Sequence, residues 1–373
     1  MRLTRASLAG ALALAVALAA PASGLAKKPA GPSPATKATE WLASQLQPTD
    51  DGSYCELFGE ESVGETLECS LAFKAGGSGF NAQREATYKW ALANKSRYVG
   101  SESCATTTNP LSAGAVAKLA LTVQAQGGNP ENVEGRNLIA DLECLQVSSG
   151  PEAGRFSDKN QTNYSDVSGQ SFAIIALKAC EAGCASKPNL KASIEAGASY
   201  LRSQQCADSK PKALNGAFRS TMGLAASTCN DEPPFTEVSE NENAVEVDST
   251  GTAVQALLTA GSTESKASAE LALKWLKKER KLTRYWQNYC SFEESSVIFP
   301  SVNSTALAMM ADVEGGVSFG KAQKWLDGIV EAQPAGEQGL PACTETGPPE
   351  VLATAQGILG MYGTTFPRLV GLP

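Results

Sequence analysis

Histidine is absent from all 373 residues. Ser-His-Asp and Cys-His nucleophiles, imidazole zinc sites and histidine general bases are therefore excluded together. Acid–base chemistry falls to carboxylates, lysine or tyrosine. One group of the right types is 245–250, VEVDST, where Glu246 and Asp248 alternate with valines and Ser249 and Thr250 follow. Asp248 fits a proton donor, with Glu246 and Thr250 as ligand contacts. The same residues fit a helix N-terminus, where Asp, Ser and Thr side chains accept from free backbone N–H groups. Asp166 and Ser304 hold similar places elsewhere in the chain. A second group is aromatic: Tyr285, Trp286, Tyr289 and Phe292 surround Cys290. Such a stretch either lids a cavity, with Tyr285 and Trp286 on the ligand, or packs around the cysteine.

Ten cysteines, at 55, 69, 104, 144, 180, 184, 206, 229, 290 and 343, make an even set with no C-x-x-C pair. Without histidine, disulfides are expected rather than a metal centre. Cys206 and Cys229 are the pair expected first, and no metal or cofactor is called for. The N-terminus agrees with an oxidising destination. Arg2 and Arg5 precede an apolar run from Leu8 to Ala20, then small-residue cleavage sites after Ala22 or Ala26. Residues 1–26 read as a bacterial-type secretory signal, too short to anchor stably, and 27–36 as a flexible linker. The expected location is secreted or extracellular, with no stable membrane span after cleavage. The formal charge of −8 becomes about −10 without Arg2 and Arg5. That balance argues against nucleic acid as a partner.

The elements that must position these groups repeat. Ala/Leu-rich stretches with a polar start and a closing glycine occur at 64–77, 112–128, 166–183, 246–261, 302–316 and 349–363. Apolar nearly all round, they read as inner helices packed on several sides. Amphipathic stretches precede them at 37–46, 84–93, 137–146, 191–205, 268–279 and 320–330. These read as outer helices with one buried face. The spacing is about 50 residues, one hairpin per repeat, except where a polar excursion, 206–245, reads as an inserted loop. Strand signals are weak, so the class is all-α. Six hairpins whose end repeats are as apolar as the middle ones favour a closed ring over an open solenoid. The domain spans 37–365, followed by a tail, 366–373.

Two motifs carry a resemblance. Trp41-Leu42-Ala43-Ser44-Gln45 followed by Asp51-Gly52-Ser53-Tyr54, and Asp248-Ser249-Thr250 running to Gly261, resemble the prenyltransferase/squalene-cyclase-type α/α toroid. The resemblance implies a disulfide-bonded toroid of about six hairpins, without fixing an activity. The zinc site of protein prenyltransferases needs histidine, which is lacking. Class II terpene cyclases protonate from the middle of D-x-D-D, the place Asp248 matches, with Glu246 and Ser249 at the outer positions. Thioester domains need C-G-E-Q, where this chain has Ala335-Gly336-Glu337-Gln338. Cobalamin carriers complete their site with a second, β-rich domain that is absent. The expectation is a non-catalytic module that binds an apolar small molecule or an extracellular, cell-surface protein. The alternative is a terpene-cyclase-like enzyme acting through Asp248.

Overall fold

The computed structural model describes residues 32–185, 190–210, 212–231, 241–280, 286–289, 298–343 and 347–373. The signal segment, Tyr285 and Cys290 lie outside the described residues. Helix α1 (Pro34–Ser44) starts on Pro34, with the Ser33 hydroxyl accepting from Thr36 N–H. It is followed by α2 (Val63–Gly76), α3 (Asn81–Ala93), the short α4 (Ser96–Val99), α5 (Ala113–Ala125), α6 (Leu138–Leu145) and α7 (Val167–Gly183). The second half comprises α8 (Leu190–Ser203), α9 (Val247–Ala260), α10 (Thr263–Glu279), α11 (Val302–Glu314), α12 (Gly320–Ala332), α13 (Val351–Met361) and α14 (Phe366–Leu369).

Helices α2, α5, α7, α9, α11 and α13 each pack on the next, and α13 packs back on α2. The ring is closed, as its uniformly apolar repeats imply. Outside it lie α1, α3, α6, α8, α10 and α12. The chain is an all-α, disulfide-bonded α/α toroid. Small residues let the inner helices approach. A Cβ on Gly169 would stand 2.9 Å from the Gly114 Cα, and one on Gly251 2.8 Å from the Leu307 carbonyl oxygen.

A five-fold motif, legible only once the ring is seen, fixes how each hairpin turns inward. Val63-Gly-Glu-Thr66, Val167-Ser-Gly-Gln170, Val247-Asp-Ser-Thr250, Val302-Asn-Ser-Thr305 and Val351-Leu-Ala-Thr354 each open an inner helix. The fourth residue reaches back to the chain entering the hairpin. Thr66 accepts from Cys55 N–H at 3.0 Å, Gln170 from Phe156 N–H at 2.9 Å and Thr250 from Phe218 N–H at 2.9 Å. Thr305 accepts from Trp286 N–H at 3.0 Å and Thr354 from Leu340 N–H at 2.8 Å. Each bond satisfies a buried donor that no helix or sheet serves.

Among the described residues the strands form short antiparallel pairs before inner helices. They are β1 (Gln47–Thr49) with β2 (Gly52–Tyr54), β3 (Glu56–Leu57) with β4 (Glu60–Glu61), β5 (Phe218–Arg219) with β6 (Val245–Glu246), and β7 (Gln287–Tyr289) with β8 (Ile298–Pro300). Disulfides join Cys55–Cys69, Cys104–Cys144, Cys180–Cys184 and Cys206–Cys229. Cys343 is disulfide-bonded too. Among the described residues no helix is long and apolar enough to cross a membrane.

One element leaves the two-layer plan. Helix α14 touches α2, α7 and α9. Since α2 and α9 stand opposite each other in the six-membered ring, α14 occupies the lumen. Phe366 is 1% exposed and meets Phe172 edge-on, with ring centroids 5.0 Å apart. Its backbone N–H donates to Gln255 Oε1 at 3.1 Å, and Arg368 pairs with Glu314 on α11 at 3.6 Å. The segment after 365 thus closes the end of the ring formed by the helix C-termini.

Candidate active site

At the other end, where the inner helices begin, cavities lie among the described residues. The second and sixth places of each inner helix lie four residues apart, on one helical face, and contacts between neighbouring helices turn that face to the lumen. Ser168 Oγ meets Thr252 Oγ1 at 3.3 Å, Asn303 donates to Gln356 at 3.0 Å, and Lys118 Nζ pairs with Glu68 at 2.7 Å. The sixth places are Glu68, Lys118, Phe172, Thr252, Leu307 and Gln356. An ion pair thus sits in an otherwise uncharged layer of the wall, with Glu68 4% and Lys118 15% exposed at their side chains. Buried charges of this kind are uncommon unless paired.

Beside Lys118 open two adjoining cavities of about 360 and 390 Å³ that share it and Tyr98. One is lined by Asp166, Tyr164 and Phe172, the other by Glu65, Glu61 and Arg97. Glu65 stands in the first turn of α2, one turn before Glu68, and its Oε2 is buried with no hydrogen-bond partner among the described residues. Burial pushes its carboxyl above the ordinary carboxylate range, with Glu68 adding and Lys118 opposing. Asp166 caps α7, its Oδ1 accepting from Gly169 N–H at 2.6 Å. Burial raises its carboxyl as well, against that bond, with Asp158 contributing. For Lys118 burial acts to lower the ammonium, but the charges of Glu68, Tyr98 and Glu65 outweigh it and hold the group cationic. Burial likewise raises the Tyr98 phenol. One mouth thus gathers two buried carboxyls, both shifted upward by desolvation, a fixed cation and a phenol.

The residues singled out from sequence fall differently. Asp248 is half-buried at the second place of α9, on the lumen-facing stripe, one helix along from Asp166. Glu246 is the N-cap residue of α9, and its carboxylate accepts from Ser249 Oγ at 3.1 Å. Thr250 is buried, its hydroxyl donating to the Glu246 carbonyl at 2.7 Å while holding Phe218. Trp286 is fully buried, with its indole N–H on the Leu276 carbonyl at 2.9 Å and the Arg280 guanidinium 5.0 Å from its ring centre. Glu65, Glu68 and Lys118 are legible as charges inside apolar inner stretches, GETLECSLAF and GAVAKLAL, but no spacing rule joins them.

No family model matches the sequence, and no curated protein matches it. Solved structures match in fold. The chain superposes on an α-1,6-mannanase from Salegentibacter sp. HEL1_6 with a TM-score of 0.60 at 9% identity, over 90% of this chain and 98% of the mannanase. An unsaturated glucuronyl hydrolase from Bacillus sp. GL1, responsible for the degradation of glycosaminoglycan, superposes with a TM-score of 0.55 at 9% identity, over 88% and 94%. An ent-copalyl diphosphate synthase from Streptomyces platensis reaches 0.47 over 50% of its own length, too low to carry an argument. At these identities the likeness establishes the α/α toroid alone.

The expected function needs correcting. Toroids that align along nearly their whole length with this one are glycan-degrading enzymes rather than passive holders of apolar molecules. The cyclase alternative fails on the wall of the lumen. A carbocation needs π-faces around it, whereas the layer below Asp248 contains Glu68, Lys118, Thr252 and Gln356, with Phe172 its one aromatic.

Proposed function

We propose that the chain is a carbohydrate-active enzyme that hydrolyses glycosidic bonds at the mouth of the toroid. Glu65 is the general acid: its proton passes to the leaving glycosidic oxygen as the bond to the anomeric carbon breaks. Asp166 is the base that takes a proton from the attacking water. Two carboxyls, one kept protonated and one ionised, are the minimal equipment for this reaction. The observation that carries the reading is the buried, unpartnered Oε2 of Glu65 beside the Lys118–Glu68 pair. The fold neighbours support it by what they act on: the mannanase has been captured, as an inactive variant, with α-1,6-mannotriose.

The test is reducing-end release from a panel of α-mannooligosaccharides and unsaturated glucuronyl disaccharides. Glu65→Gln should lose about 10²–10⁴-fold in kcat. Asp166→Asn keeps a good N-cap and removes the charge, so it should fold normally and lose activity. Asp248→Asn should cost less than either. Wild-type rates from Glu65→Gln, or no turnover across the panel, would sink the assignment.

Export belongs to the same reading, supported by the charged start, the apolar core of 8–20 and the bridged cysteines. N-terminal sequencing of protein from culture medium should begin near Ser23 or Lys27. Kinship with prenyltransferase-type toroids rests on the W-L-x-x-Q and D-G-S-Y residues and is a reading of ancestry, not of chemistry.

A further inference from the structure

We infer that the mouth takes a neutral pyranose chain and rejects uronate-bearing or sulfated glycans; this rests on the glycosidase reading above. The two enzyme classes that share the fold differ in this respect, since one acts on mannan and the other on a glucuronyl glycan. Recognition of a substrate carboxylate or sulfate calls for an Arg or Lys whose donors are available. Two cations line the mouth cavities, and each already faces a carboxylate of its own chain. Lys118 is paired with Glu68 at 2.7 Å, and Arg97 with Glu61. Beyond these pairs remain Glu65 and Asp166. An anionic sugar would therefore approach a surface whose uncompensated groups are carboxyls.

A neutral sugar meets the opposite situation. Glu65 lines the cavity, and its buried Oε2 has no hydrogen-bond partner among the described residues; such an atom is costly to leave unmet. Hydroxyl groups are donors, and a pyranose carries several on one face. Its other face is a sheet of C–H bonds, which packs on aromatic rings. Tyr164 offers one at the rim, 77% exposed. Its loop is fixed because Asp158 accepts from Tyr164 N–H at 3.0 Å and from Ala113 N–H at 2.8 Å. Phe172, braced from below by Phe366, offers a second. An unpartnered carboxyl, available aromatic faces and spent cations are together complementary to a neutral glycan.

The experiment is calorimetric titration of the full chain carrying Glu65→Gln, so that nothing is turned over. The probes are α-1,6-mannotriose and the same trisaccharide with a uronate at its non-reducing end. The neutral probe should bind at least tenfold tighter, with little response to salt. Adding Glu68→Gln releases Lys118 and should narrow or invert that preference. Should this double variant fail to fold, Glu61→Gln, which releases Arg97 at the exposed rim, gives the same readout. Equal or tighter binding of the uronate probe overturns the inference while leaving hydrolysis standing. Failure of both probes to bind, with no turnover by the wild type, overturns the glycosidase reading along with it.

Discussion

Phe366→Ala tests whether the lumen is plugged as the packing requires. The side chain is 1% exposed and lies between α2, α7 and α9, edge-on to Phe172. Roughly 150 Å² of apolar surface at about 25 cal/mol per Å² gives about 4 kcal/mol. That lies inside the range of about 3–5 kcal/mol for Phe→Ala in a core. For a domain of this size the melting temperature should fall by about 6 °C. Urea unfolding and thermal scans measure both. A second signal separates a vacated lumen from general loosening. An enclosed apolar void stays dry and takes up small apolar solutes, so benzene should stabilise the variant and leave the wild type unchanged. A loss below about 1 kcal/mol, or benzene acting on both proteins alike, would refute the placement of Phe366.

Thr250→Val strips the acceptor from the buried Phe218 N–H and should cost about 1–3 kcal/mol in urea unfolding, whereas Thr250→Ser should come close to wild type. Removing the Cys104–Cys144 bridge, which spans 40 residues, should cost about 4 kcal/mol on chain-entropy grounds. Removing Cys180–Cys184, which spans 4, should cost about 2 kcal/mol; equal losses would count against that account. Burial pushes the Asp312 carboxyl up to about 6 from 3.8, against the pull of Arg280 and Lys277. The native state then holds this proton more tightly than the unfolded chain does, so Asp312 costs stability as pH rises from about 4 to about 6. Asp312→Asn should therefore gain on the wild type across that window, and a difference independent of pH would contradict the assignment.

The architecture was legible because every repeat spells it. Inner and outer stretches read from hydrophobic patterning coincide with the helices to within a few residues, Cys206–Cys229 is bridged, and Gly261 closes α9 in the left-handed conformation at φ 78°. The motif behind the family resemblance has a mechanical cause. Gly52, Gly154 and Gly216 each precede an aromatic by two residues, in Gly-Ser-Tyr54, Gly-Arg-Phe156 and Gly-Ala-Phe218. All have positive φ, and a Cβ on any of them would strike a backbone carbonyl of the adjoining outer helix. The D-S-T match ends on Thr250, which ties its hairpin to Phe218. Both motifs therefore report how the toroid is built and are silent on what it does. Neither α14 in the lumen nor the role of Phe366 could be read from FPRLVGLP, because four residues of helix have no periodicity to detect.

The site was hidden for the complementary reason: it lies where the repeat is broken. Valine at the first place and Thr or Gln at the fourth recur because each inner helix must seat and tether its hairpin in the same way. The third place, Glu65 in α2, is Gly169, Ser249, Ser304 and Ala353 in four of the other inner helices. The sixth place is charged only at Glu68 and Lys118. Symmetry explains small or apolar residues at such places, since they are what lets a ring close tightly. It offers no reason to bury a salt bridge, which gains little over apolar packing in stability. A departure that the ring does not need, beside the cavities at the helix N-termini and next to a carboxyl pushed upward by burial, is where the proposed chemistry is assigned. By the same measure Asp248 is a departure of lesser cost: it is half-buried in a first turn, where an acid is stabilised by the helix it begins, so α9 itself accounts for the residue that sequence alone placed first.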